Sequence, residues 1–168
     1  DGSGVCAERG LSGADLTDCL SWLKVIPRTI DNLNDGLATL QFQSISVNPR
    51  NAPNDMLGGT QDNGTWAYRN GGSPAWFESV GGDGGQSGID AGDANVRMHS
   101  YFGPQHDVNF RGNDPQSWNW IGDPLLISGE GASFYVPLIS DPRVSGSWFV
   151  GLQHVWRTKD NGGPQAYL

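Results

Sequence analysis

The 168-residue chain is poor in what most function classes require. Lysine and arginine together number ten against 18 Asp and Glu, which leaves a formal charge of -8. Phosphate backbones are held by clustered cations, so a nucleic-acid partner is excluded, and so is attraction to an anionic membrane. No run approaches the ~18 apolar residues of a membrane helix, and no basic-then-apolar signal peptide opens the chain. Strongly helix-forming stretches are scarce. The three histidines, His99, His106 and His154, are dispersed and without Cys or His partners, which reads as strand and loop residues rather than metal ligands. Neither a Gly-x-Ser-x-Gly elbow nor a phosphate-binding glycine loop before a helix occurs.

Glycine is abundant instead, at 25 residues, about twice the ~7% average, and ten prolines accompany it. Seven Trp, six Phe and four Tyr supply the apolar surface that a disordered glycine-rich chain lacks. Short strands are expected at 40–47, 64–69, 76–80, 96–102, 108–111, 117–121, 133–139, 148–152 and 154–158, separated by Asn-Pro, Asn-Gly, Gly-Gly and Asp-Pro turns. One helical turn or two is expected at 12–20, capped by Ser12 or Asp15. Cys6 and Cys19 are the only cysteines and have no second pair to complete a zinc site. A disulfide closing the glycine-rich loop between them implies an oxidising compartment, and two buried thiols are the alternative. The fold class is all-β.

A repeat organises these strands. "SISVNPRNAPNDMLGGTQDNGTWAYRNGG" aligns with "PLISDPRVSGSWFVGLQHVWRTKDNGG": apolar strand, Pro turn, second apolar strand, Gly-x-Gln, aromatic strand ending in Arg, Asn-Gly-Gly. A weaker copy from Ser87 to Trp118 lies between them, and Ile45, Ile89 and Ile139 are expected at equivalent places. Trp22, Trp76, Trp118 and Tyr167 form a second series, and Arg69, Arg111 and Arg157 a third. Units of ~45 residues with four short strands have the size of β-propeller blades, each covering the next. A β-sandwich also gives short strands, but has no reason to repeat the Pro turn, Gly-x-Gln and Trp in step.

At these residues the chain resembles the Asp-box (BNR) propellers: sialidases, sortilin-type receptors and xyloglucanase-like glycoside hydrolases. "VWRTKDNGG" supplies Thr158, Asp160 and Gly162 in box register after Arg157, and "FRGNDPQSW" keeps Arg111, Asp114 and Trp118. The opening "DGSGV" looks like the tail of another box, and "LNDGLATLQFQSISVNP", "LGGTQDNGTW" and "GGDGG" resemble bacterial extracellular proteins with sialidase-like repeats. The resemblance implies about three four-stranded blades, 1–75, 76–117 and 118–168, with the disulfide loop near the N-terminus. It implies an extracellular, cell-surface or periplasmic location. Three blades do not close a ring of ~4–8. Either the chain is part of a larger propeller, with no membrane span of its own, or neighbouring subunits complete it.

Box residues are expected to be scaffold, because a short carboxylate satisfies the free N–H groups of a tight turn. The ligand candidates are Asp62, Asn63, Trp66 and Asp83; the Asp62-Asn63 pair is what this unit adds to the repeat, with Gln61 and Gln153 as frame residues. Asn63-Gly64 reads as a hairpin turn needing positive φ. Trp66, Trp120, Tyr101 and Trp148 are the aromatic candidates for a binding face, each with burial between strands as the plain alternative. Calcium is a candidate cofactor in "TQDNG", "GGDGG", "DAGD" and "KDNGG", though none supplies ~6–8 oxygens alone. Glycoside hydrolysis needs two carboxylates across a cleft; Asp62, Asp83, Asp107 and Glu130 are the candidates, with no spacing that pairs any two. The expected function is therefore non-catalytic protein or glycan binding or surface assembly, and the alternative is part of a glycoside hydrolase with carboxylates outside this segment.

Overall fold

The computed structural model describes residues 3–25, 39–69, 76–164 and 167. It divides into two compact units, Asp1–Thr39 and Leu40–Leu168. In the first, helices α1 (Ser3–Glu8) and α2 (Gly13–Val25) are joined by the Cys6–Cys19 disulfide, with Cys6 fully buried. The short helix expected at 12–20 is longer because nothing from Ala14 to Val25 is Gly or Pro, so no breaker stops it. From Ser3 onward "DGSGV" is helical and not the tail of a box turn. The all-β expectation holds for the second unit, and the helical pair departs from it.

The second unit holds three antiparallel sheets. The first runs β1 (Phe42–Val47), β2 (Asp55–Thr60), β3 (Thr65–Arg69), β4 (Trp76–Val80). The next runs β5 (Ser87–Ile89), β6 (Arg97–Ser100), β7 (His106–Asn109), β8 (Trp118–Trp120). Helix α3 (Asp123–Ile127), with Pro124 in its first turn where no N–H is missed, leads to β9 (Leu138–Ser140), β10 (Trp148–Gly151) and β11 (Val155–Thr158). Among the described residues this third sheet has three strands. The first strands of successive sheets touch, β1 with β5 and β5 with β9, as strands near a common axis would.

Two expectations about boundaries are corrected. Trp76 pairs with Tyr68 and Trp118 with Asn109, so each begins the outermost strand of its own sheet, and the breaks expected at 75/76 and 117/118 fall one strand early. Tryptophan marks the same place in the first two sheets, inside the sheet, whereas Trp22 of the expected series lies in helix α2. The Asn-Gly-Gly after Arg69 lies outside the described residues.

Register is set by a turn after each first strand. Asn48 Oδ1 accepts from Arg50 N at 2.9 Å, Asp90 Oδ1 from Gly92 and Asp93 N at 2.8 Å each, and Asp141 Oδ1 from Arg143 and Val144 N at 2.9 and 3.1 Å. On that register Ile45, Ile89 and Ile139 are not equivalent. Ile89 is buried between the first two sheets, while Ile139 is 61% exposed on the face of the third sheet turned away from its neighbour. A slip of one residue moves a strand's whole side-chain set to the other face. Arg111, in the turn after β7, and Arg157, within β11 beside Phe149, likewise share no position.

Each gap between sheets has its core. Leu57, Ala67 and Ile89 fill the first with Phe77 and Trp118 against them. Met98, Val108, Leu138, Trp148 and Val150 lie in the second, with Tyr167 packed on it. Gly88 exists to let these sheets close: a Cβ there would collide with the Trp148 ring. Gly59 in β2 has the same reason, facing the Gly85 carbonyl.

Candidate functional site

Antiparallel strands put the turns at two ends. The β1–β2, β5–β6, β9–β10 and β7–β8 turns share one end with the turn after β11. Here the box-like residues sit. Thr158 Oγ1 donates to Asp160 Oδ1 at 2.7 Å and accepts from Gly162 N at 2.9 Å. Asp114 accepts from Gln116 N at 3.0 Å and Ser117 Oγ at 2.7 Å, and these bonds, Ser117's foremost, hold its carboxyl below the usual range. The Trp118 indole donates to Ser79 O at 3.1 Å, across the gap between sheets.

Two buried links at this end were not foreseen. Arg97 Nη2 reaches Asp55 Oδ2 of the preceding sheet at 2.6 Å, and Asn48 Nδ2 donates to the same oxygen at 2.9 Å. Asp90 accepts from Ser145 Oγ at 2.6 Å and Gly146 N at 2.7 Å in the following sheet. Burial pushes both carboxyls up, but the hydrogen bonds outweigh it and the net displacement is downward. "DAGD" therefore signals a connector, its Asp90 already saturated by four donors. A shallow cleft of about 350 Å³ lined by Phe110, Arg111, Gln116, Ser117 and Asn119 is also at this end.

The opposite end carries the β2–β3, β6–β7 and β10–β11 turns and the links between sheets. Asp62, at φ 60°, donates its N–H to Asp83 Oδ1 at 3.2 Å, so two candidates 21 residues apart meet. Asn63 Nδ2 donates to Gln61 O at 2.8 Å, and the Trp66 indole to Asn63 O at 2.5 Å. These bonds shape the turn and leave the Asp62 side chain exposed. Gly84 N donates to Thr60 O at 3.0 Å, a backbone approach that any Cβ at Gly84 would block. "GGDGG" thus provides close approach with one carboxylate in its middle.

Tyr135, missed in the sequence, joins them. Its hydroxyl is buried without a hydrogen-bond partner among the described residues, and burial together with the charges of Asp83 and Asp62 pushes its pKa up. Its ring packs edge-on against Phe134 at 4.9 Å, and Phe134 stacks on Phe102 at 5.9 Å; both phenyl rings are about half exposed. Gly103 N to Phe134 O at 2.7 Å ties this segment to the β6–β7 turn. "SFYVP", an aromatic pair ahead of a proline, was the available signal.

The remaining candidates lie elsewhere or are occupied. Asp107 is buried, accepting from the Tyr101 hydroxyl at 3.1 Å with His99 Nε2 at 3.6 Å, while His99 Nδ1 meets Thr65 Oγ1 at 3.2 Å. This Thr–His–Asp series bridges two sheets and is almost wholly buried, the Asp107 side chain keeping 12% of its surface exposed. His106 is wholly buried; burial lowers its pKa to about 4, the Pro104 carbonyl and Asp107 pulling back only in part. Glu130 accepts from His154 N at 3.0 Å, His154 Nδ1 at 2.9 Å and the Trp156 indole at 3.2 Å, and the backbone bond foremost lowers its pKa. Trp148 is fully buried, and the Trp120 indole donates to Asp123 at 2.6 Å. Among the described residues, no group of three His, Cys, Asp or Glu is placed to hold a metal ion.

No family model matches the chain, and no curated protein matches it in sequence. Solved structures do match. An ancestral GH74 enzyme superposes with a TM-score of 0.55 at 17% identity over 73% of this chain. Saccharomyces cerevisiae Sqt1 superposes with a TM-score of 0.51 at 12% identity over 79%. Both are β-propellers, and at these identities the likeness carries the fold alone: the sheet unit has the propeller fold. The chain spans 18% of the length of the first and 34% of the second.

Proposed function

We propose that the chain is a non-catalytic binding segment of an extracellular propeller that takes a glycan at the Asp62–Asp83–Tyr135 end. The observation behind this reading is the Tyr135 hydroxyl, buried and unpartnered among the described residues, under the charges of Asp62 and Asp83 and beside two half-exposed phenyl rings. Carboxylates accept hydrogen bonds from sugar hydroxyls, the tyrosine hydroxyl donates or accepts, and apolar sugar faces stack on aromatic rings. The box-like turns are read as scaffold, and the disulfide is compatible with an oxidising compartment. Among the described residues no helix is long and apolar enough to cross a membrane.

Chemistry supports binding over turnover. A glycosidase acid needs a raised pKa, whereas each carboxyl here with a displaced pKa, Asp55, Asp90, Asp114 and Glu130, is displaced downward. The alternative, part of a glycoside hydrolase completed by carboxylates outside this segment, is favoured by the fold likeness to a GH74 enzyme. A glycan array followed by incubation of each bound oligosaccharide with the chain separates the readings. Binding without new reducing ends supports the first; release of shorter oligosaccharides overturns it, and so does an array with no bound glycan.

A further inference from the structure

Among the described residues of the second unit the sheets follow one docking rule, and the outer faces of the first and third sheets are left outside it. Ladder pairing makes Val47, Ile89 and Ser140 equivalent, then Met56, Arg97 and Trp148, then Tyr68, Asn109 and Thr158. In the second sheet this side is the docked one: Ile89 enters the core, Arg97 reaches Asp55 and Trp118 reaches Ser79. The same side of the third sheet is docked through Leu138 and Trp148. In the first sheet these positions hold Val47, Met56, Tyr68 and Trp76. Ile45 and Val47 are 53% and 41% exposed, and Trp76 stacks with Phe42 at 4.8 Å and Tyr68 at 5.3 Å, all within its own sheet.

The third sheet carries the complementary side. Ser46 and Gly88, two residues before their turn-closing Asn48 and Asp90, receive the following sheet: Ser46 Oγ donates to Ser87 O at 2.7 Å and Gly88 lies beneath Trp148. The matching residue before Asp141 is Ile139, on a face with Phe149, Val155 and Arg157. The Arg157 guanidinium lies 5.3 Å from the Phe149 ring.

We propose that these two faces bind each other between two copies of this chain, third sheet of each against first sheet of the other, about a two-fold axis. Such pairing is self-complementary, as a two-fold dimer requires, and gives six sheets, within the ~4–8 of closed propellers. The step that sets Trp148 over Gly88 sets Met56 of one copy over Ile139 of the other. Ala67, which lies in one core with Trp118, corresponds to Arg157, so Arg157 of one copy meets Trp76 of the other as a cation over an indole. Trp66, paired across the ladder with Gly58 on this same side, then belongs to the interface rather than to the ligand.

Sedimentation equilibrium of the whole chain tests this. The expected species has twice the 18.0 kDa chain mass. Ile45→Asp and Ile139→Asp, both at exposed side chains, each weaken the dimer at least ~10-fold while circular dichroism keeps the native spectrum. A monomer up to ~100 µM overturns the proposal, because the faces then belong to other sheets of the same polypeptide or to none. A dimer lost in one variant and intact in the other also overturns it, since sheet-one-to-sheet-one pairing would ignore Ile139. Glycan binding at the other end is a separate reading, measured on the Phe134 variant discussed below.

Discussion

At one end of the sheets the turns are closed by their own residues: Asp141 bonds Arg143 and Val144, Asp114 bonds Gln116 and Ser117, Thr158 bonds Asp160 and Gly162. At the other end Asp62 meets Asp83 from 21 residues away, and Phe134 meets Phe102 across the β6–β7 turn. The first arrangement holds each sheet's register, its turn carboxylates accepting hydrogen bonds from their own turns. The second brings together carboxylate, hydroxyl and phenyl groups from separate turns, with both phenyl rings about half exposed. A short carboxylate in a turn therefore means different things at the two ends, and only its partners tell which.

The largest effect is expected where the first end crosses between sheets. Asp55→Ala strands a buried Arg97 guanidinium, which costs about 3–5 kcal/mol. Urea unfolding followed by tryptophan fluorescence measures it. A loss under ~1 kcal/mol would mean that the pair is solvated and that the ends are not mechanically distinct.

Acid separates the ends in sequence. His106, at the second end, falls from its ordinary 6.5 to about 4 on burial, so between those values the unfolded chain takes a proton that the folded chain refuses. Stability should decline by about 3 kcal/mol as pH drops from about 6.5 to about 4, then stop declining on this account. Asp55 and Asp90 have lowered values, so their contribution is intact above the ordinary carboxyl value of 3.8 and is lost as pH falls below it. His106→Gln should flatten the upper window and leave the lower one. A wild-type profile flat between about 6.5 and 4 would refute the neutral buried histidine.

These contrasts explain what could be read from the sequence. Glycine load, Pro turns and a recurrent tryptophan were enough for the propeller fold and for part of every described strand except β2 and β5, because turn chemistry and strand alternation act over a few residues. The three-residue β5, "SGI", is too short to show alternation. Ile45, Ile89 and Ile139 misled because composition repeats while register is fixed by Asn48, Asp90 and Asp141, one residue out of step in the third sheet. Asp62 and Asp83 were legible singly as glycine-turn carboxylates. Their meeting with Tyr135, like the Asp55–Arg97 pair 42 residues apart, depends on how sheets dock, and no local pattern encodes that.

Thr158→Ala tests the scaffold reading of the box-like turn. It removes one donor and one acceptor at a fully buried side chain, for a loss of about 1–2 kcal/mol, without touching the far end. Unchanged unfolding would show the turn to be ornamental; weakened glycan binding at intact stability would place it in the site instead.

The smallest stability effect should accompany the largest functional one. Phe134→Ser removes a half-exposed ring that stacks on Phe102 and borders Tyr135, so the unfolding free energy should move by no more than ~0.5 kcal/mol. Loss of one stacking face should weaken a glycan by about tenfold, roughly 1.4 kcal/mol. Isothermal titration reads the affinity, and a separate thermal scan on the same preparation reads the fold. Equal affinity for wild type and variant would remove the phenyl pair from the site and leave the two ends distinguished only by their turns. Dimer mass should be unchanged in this variant, because Phe134 lies on neither of the free sheet faces.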